Sequence, residues 1–215
     1  MKTKTEGFTL VEIAIVLVII GLLLGGILKG QEMITQAKIK NLIADFSGIS
    51  AAYHGYQDRY RAIPGDDPGA GTRWAVAPAA TPGNGNGAVA GAYNSQTATD
   101  ESRLWWDHLR RAGFVAGTGT QQPFNAVTGL LGVQTGDAAG GSALGGFVAL
   151  IVCSANMPDK IAIAVDTQMD DGNAITGTVR GQLHAGAPNP NIQAAAPGAN
   201  YAETGTNVYT LCRSL

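Results

Sequence analysis

Few side chains in this sequence are spaced for chemistry, and those that are suit binding or cross-linking. Asp166, Asp170 and Asp171 fall within six residues and are followed by Gly172 and Asn173. Carboxylates crowded into a turn are hard oxygen donors suited to Ca²⁺. Asp-Asp-Gly-Asn is equally an ordinary turn sequence, and the spacing is not that of an EF-hand loop. The three histidines, His54, His108 and His184, do not make a metal trio by spacing and read as packed or surface residues. Cys153 and Cys212 are the only cysteines. Neither has a histidine or acid arranged beside it to activate a thiolate. There is no Gly-x-Ser-x-Gly elbow, no His-Glu-x-x-His, no P-loop and no dinucleotide fingerprint after a strand. The run Pro82-Gly83-Asn84-Gly85-Asn86-Gly87 lacks the Gly-Lys-Ser/Thr ending of a phosphate-cradling loop and reads as a flexible surface loop. Aspartates are plentiful enough to leave a catalytic carboxylate pair open, so a membrane-anchored exported enzyme stands as a lesser reading.

One further carboxylate is out of place. Glu12 precedes a stretch with no charge until Lys29, and from Ile13 to Leu28 every residue is apolar or glycine. Phe8, Leu10 and Val11 extend the run, giving 21 residues from Phe8 to Leu28, long enough to cross a hydrocarbon core as a helix. Lys2 and Lys4 precede it, which by the positive-inside rule keeps the N-terminus cytoplasmic and exports the remainder. A secretory signal peptide would end in small residues of A-x-A type, whereas this run ends Gly26-Ile27-Leu28-Lys29-Gly30-Gln31. A plain anchor explains the hydrophobicity but not Glu12. A carboxylate costs about 2.5–3.5 kcal/mol at a bilayer centre and less near its edge.

The segment Glu6-Gly7-Phe8-Thr9-Leu10-Val11-Glu12 resembles the type IV prepilin cleavage motif, with glycine before phenylalanine and a glutamate four residues on. The resemblance implies that residues 1–7 are a leader removed by a prepilin peptidase between Gly7 and Phe8, and that the new Phe8 amine is N-methylated. It further implies that Glu12 of an incoming subunit pairs with the terminal amine of a neighbour during assembly, a pairing that offsets the cost of the buried carboxylate and sets the docking register. Loss of Lys2, Lys4 and Glu6 takes the net charge from −2 to −3. The partners implied are other subunits of a helical filament, identical or related, an inner-membrane platform protein with a cytoplasmic ATPase, and the membrane itself. Neither the small negative charge nor the scattered Arg and Lys indicates a specific nucleic acid.

The elements that would carry these residues follow from periodicity. Residues 8–28 are expected to form the membrane-spanning and filament-core half of one long helix, and residues 29–63 its amphipathic second half. Ile39, Leu42, Phe46, Ile49, Tyr53, Tyr56, Tyr60 and Ile63 alternate steps of three and four, until Pro64-Gly65 stops the pattern. Such a helix would be about 84 Å long. Gly21 and Gly25, and Gly26 and Gly30, sit four apart, the small-residue spacing that lets membrane helices approach. Residues 64–215 are expected to form a globular domain: a loop-rich connection to about residue 100, then a short helix over 101–112 capped by Thr99 or Asp100. Strands are expected at Phe147–Cys153, Lys160–Asp166 and Asn207–Cys212. The fold class expected is α+β and pilin-like, a long N-terminal helix packed on a small antiparallel sheet with long loops.

In an exported domain Cys153 and Cys212 are expected to pair, with two free buried thiols as the alternative. The pairing also resembles the C-terminal disulfide loop of many type IV pilins. Calcium at Asp166, Asp170 and Asp171 has a looser parallel in the major pseudopilins of type II secretion systems. The expected function is that of a structural subunit of a type IV pilus-like filament, held in the inner membrane before assembly and at the periplasm or cell surface afterwards. A pseudopilin of a type II secretion system is the alternative. Lys29 stands where many type IV pilins have a proline, a departure from the major-pilin pattern.

Overall fold

The computed structural model describes residues 9–184, 186 and 188–215. The expected leader at residues 1–7 and its cleavage position, Gly7 and Phe8, lie outside the described residues. The chain divides into two units, Met1–Ala37 and Lys38–Leu215. Helix α1 runs from Leu10 to Tyr60. In the first unit its side chains are exposed on all sides, Leu10 by 88% and Leu22 by 73%. A helix apolar all round and uncovered by its own chain is one whose surroundings must be apolar, either lipid or other helices.

In the second unit, α1 buries one stripe. Ile39, Leu42, Phe46, Ile49, Ala52 and Tyr56 enter a core shared with Trp105, Trp106, Val133, Val152 and Leu211. Ala52 takes the place expected for Tyr53, which is half-buried and bonded through its hydroxyl to Gln57. The helix ends at Tyr60, not Ile63, because Arg61 adopts a left-handed φ of 54° that breaks the helical ladder. A single short turn, α2 (Ala70–Arg73), and then α3 (Glu101–Arg111) follow. Helix α3 starts after Asp100 as expected, although that side chain accepts from Ser95 Oγ and makes no cap bond.

The sheet has four strands where three were expected: β1 (Leu131–Thr135), β2 (Leu150–Pro158), β3 (Val179–Leu183) and β4 (Val208–Ser214), antiparallel in the order β1-β2-β4-β3. Leu150 and Val152 face the α1 core. Ile151 and Cys153 face a second cluster with Tyr93, Leu144, Phe147 and Ile192. The strands expected at Phe147–Cys153 and Asn207–Cys212 are present, shifted by a few residues. The strand expected at Lys160–Asp166 is instead a helix, α4 (Asp159–Met169). Pro158 ends β2, and the Asp159 carboxylate accepts from the Thr204 and Gly205 amides, which fixes the chain reversal. Ile161, Ala162 and Val165 then share one buried helical face. The α+β class holds: a long N-terminal helix and a small antiparallel sheet.

Candidate functional site

The start of α1 is built by two residues. Thr9 donates its backbone N–H and its hydroxyl to Glu12 Oε2 at 2.8 and 2.7 Å, and the Glu12 N–H donates back to Thr9 Oγ1 at 3.3 Å. This is a capping box, which satisfies donors that a helix start leaves open. The Thr-x-x-Glu spacing of residues 9–12 announces it in the sequence, a helix-starting role for Thr9 and Glu12 beyond the one the cleavage motif implies. Leu10 to Leu28 then carry no other charge, and Lys29 closes the run with an exposed ion pair to Glu32 at 2.8 Å. Gly21, Gly25, Gly26 and Gly30 have open space where a Cβ would stand, so another helix can approach their backbone closely.

At the other end of the chain, Cys153 and Cys212 form a disulfide between directly opposed residues of β2 and β4, with Cα atoms 4.0 Å apart. Both are fully buried, and the bond ties the last strand to the centre of the sheet. The alternative of two free thiols is not what the structure contains.

Asp166, Asp170 and Asp171 come together at the end of α4 with one oxygen from each within 4.8 Å of the others. Each is also held by the protein. Asp166 accepts from Tyr201 Oη at 2.6 Å and the Gly172 amide, Asp170 from the Thr178 and Val179 amides, and Asp171 from Thr176 Oγ1 and the Asn173 amide. Burial, with Asp171 and Asp170 nearby, pushes the Asp166 carboxyl up to about 6, against the opposing pull of Tyr201 and Gly172.

Three more acids lie under the loops and were not singled out in the sequence. Asp67 accepts from Tyr56 Oη at 2.6 Å, Arg73 Nη1 at 2.6 Å and the Gly69 amide at 2.8 Å. Burial would raise its carboxyl, but these donors together hold it below the ordinary aspartate range. Asp66 accepts from the amides of Gly85, Asn86 and Gly87, and Glu101 from those of Asn84 and Ala90. The Pro82–Gly87 run expected to be a flexible surface loop is therefore fastened to two buried carboxylates. Gly85 and Gly87 have φ of 74° and 87°, which turns their N–H groups inward into an anion-holding nest. Beside this lies His108, fully buried. Its Nδ1 accepts from the Gly65 amide at 2.9 Å, so it is the other nitrogen that carries the proton and donates to Thr81 O at 2.9 Å. A doublet of aspartates flanked by Pro-Gly turns was the available signal, since buried acids require donors and glycine-rich loops expose unhindered amides.

These arrangements offer helix capping, cross-linking and buried structural acids. Hydroxyls do meet a histidine and acids, Thr210 Oγ1 lying 2.7 Å from His184 Nε2 and Ser95 Oγ donating to Asp100. Residues 2–28 match the family model described as the prokaryotic N-terminal methylation motif. No curated protein and no solved structure matches the chain. Residues 2–28 carry the signature of type IV pilin and pseudopilin precursors, and the apolar part of α1, from Leu10 to Leu28, lies within it.

Proposed function

We propose that the chain is a structural subunit of a type IV pilus-like filament, processed after Gly7 by a prepilin peptidase, methylated on Phe8 and held in the inner membrane until assembly. The observation that carries this reading is the methylation motif enclosing a helical run whose apolar side chains are exposed on every side from Leu10 to Leu28. Such a helix is stable only in lipid or among its own kind, and a filament core supplies the second environment. Glu12, the one charge in that segment, serves in this reading to pair with the terminal amine of a neighbouring subunit. A surface pilus is favoured over a secretion pseudopilus by the disulfide that locks the last strand, which resembles the C-terminal loop of many pilins. Prepilin peptidase, a platform protein and its ATPase are the partners this reading requires.

The test is mass spectrometry of the N-terminal peptide from sheared surface filaments and from membranes of the native host. A peptide beginning at N-methylated Phe8 and enriched in the sheared fraction supports the surface pilus. The same peptide confined to membranes favours the pseudopilin. A chain that keeps Met1, or is cut beyond Leu28, overturns the reading.

For the acidic cluster we propose a weak Ca²⁺ site at Asp166, Asp170 and Asp171. Its support is the approach of three hard oxygen donors and the raised Asp166 carboxyl, both of which a dication would relieve. Thermal unfolding with CaCl₂ and with EDTA tests it. A rise in melting temperature that Asp171→Asn abolishes supports the site, and identical curves leave the cluster as a turn fastened by protein donors alone.

A further inference from the structure

Asn84-Gly85 and Asn86-Gly87 are chemically vulnerable pairs, and the same buried carboxylate grips both. In an Asn-Gly pair the glycine nitrogen, unhindered by a side chain, can lose its proton and bond to Cγ of the asparagine. The side-chain amide nitrogen then leaves with that proton as ammonia. Water opens the resulting five-membered imide at either carbonyl, giving aspartate or isoaspartate. The reacting nitrogens here are those of Gly85 and Gly87. Gly85 donates its N–H to Asp66 Oδ1 at 2.6 Å and to Asp66 O at 3.0 Å, and Gly87 donates to Asp66 Oδ2 at 2.7 Å. The asparagine side chains are engaged as well: Asn84 Oδ1 accepts from the Asn86 amide and Asn86 Oδ1 from the Ala88 amide, both at 2.9 Å.

We propose that Asn84 and Asn86 are latent deamidation sites, kept unreacted by the Asp66 carboxylate that holds both glycine nitrogens. Two physical effects act together. Removing a proton from a nitrogen that already touches a carboxylate would set two negative charges side by side, one of them on Asp66, which is only 4% exposed although the Asn84–Gly87 residues themselves stand at the surface. Rotating either pair into the geometry of attack would also break the bonds that the left-handed glycines make to Asp66. The guard fails cooperatively. Isoaspartate lengthens the backbone by one carbon and pulls the remaining amides off Asp66. Each new carboxylate also arrives close to Asp66 and Glu101 and repels them. Conversion at one asparagine therefore releases the other. The inference does not depend on which filament the chain builds, but it matters most for a subunit that persists outside the cytoplasm.

The test follows the full-length protein in detergent, warmed at mildly alkaline pH, by peptide mass spectrometry for a gain of about one dalton at Asn84 and Asn86. The wild type is expected to stay unmodified while Asp66→Ala converts at least about tenfold faster at both positions, with circular dichroism and the intact Cys153–Cys212 bond certifying its fold. Equal rates overturn the proposal, and faster conversion in the wild type overturns it by making Asp66 the base of the reaction. Amide hydrogen exchange on the wild type decides independently of any variant. Slow exchange at Gly85 and Gly87 is required, and exchange at the rate of an open loop overturns the guard even if Asp66→Ala does not fold.

Discussion

Thr9 and Glu12 cap each other across the first turn of α1, with both Thr9 donors falling on a single oxygen, Glu12 Oε2. The carboxylate therefore has a task inside its own chain before any second subunit is present. Among the described residues the other oxygen takes no donor, so on the proposed assembly role a single side chain would both start the helix and pair across an interface.

The two tasks separate by substitution. Glu12→Gln keeps an acceptor for Thr9 and loses the charge, whereas Glu12→Ala loses both. On the proposed assembly role, both variants are exported and cut normally, and filament yield in sheared fractions falls to background for both alike. Recovery of filaments by the glutamine variant would mean that capping, not charge, carries the residue's role. Thr9→Val removes a side-chain cap worth about 1 kcal/mol and is expected to lower yield without abolishing it.

Asp67 anchors the base of the amphipathic half of α1 to the loop that follows. It takes the Tyr56 hydroxyl from the helix, the Arg73 guanidinium from α2 and the Gly69 amide between them. Its side chain is 3% exposed and that of Arg73 is 30%. Asp67→Ala strands a buried phenol and an arginine together, and is expected to destabilise the domain by about 3 kcal/mol in urea unfolding. Arg73→Ala leaves Tyr56 and Gly69 still paired, and is expected to cost about 1 kcal/mol.

His108 contributes to the acid side of the stability profile. Burial lowers its pKa, and the bond to Thr81 O opposes this only in part. The unfolded chain, with a histidine near 6.5, thus binds a proton at a pH where the folded chain does not. Its contribution is fully present above about 6.5 and is lost as pH falls from there toward the folded value. Asp67, held low, adds a second loss beginning below about 4. Unfolding free energy is expected to fall more steeply with falling pH through the first window in the wild type than in His108→Gln. His184, also lowered by burial, and Asp166, raised to about 6 and acting in the opposite sense, contribute equally to both curves. Parallel curves would remove His108 as the cause.

What the sequence disclosed was what is local. The Thr-Leu-Val-Glu start, the uncharged run and the three-four stripe are all visible within one element, and Ile39, Leu42, Phe46, Ile49 and Tyr56 occupy the core as the stripe predicts. Strands β1 and β3 were missed because their residues are chosen by what crosses them. A Cβ on Gly132 would strike Tyr93 O, and one on Gly181 would strike the Tyr201 ring, so both strands carry glycine where β-formers would normally sit. Helix α4 was misread because Ile161, Ile163 and Val165 alternate as in a strand, and only its packing reveals that Ile161, Ala162 and Val165 form the buried face. Asp66 and Glu101 stayed silent because the amides they hold lie up to 21 residues away.

The disulfide gives the last prediction. Cys153 and Cys212 are fully buried at the middle of the β2–β4 pair and 59 residues apart in sequence. A reductant cannot reach them until the sheet opens, so thiol labelling after mild reduction should be absent in the native protein and stoichiometric in denaturant. The bond also restricts the unfolded chain over a long loop, and replacing both cysteines with alanine is expected to cost about 2–4 kcal/mol. Because β4 pairs with both β2 and β3, its release would free the last strand and one whole edge of the sheet together. Limited proteolysis of the double variant should therefore cut first between β3 and β4, in the segment after Leu183. Cutting that begins in the 82–91 loop instead would place the weakest point of the domain at Asp66 and Glu101, not at the sheet.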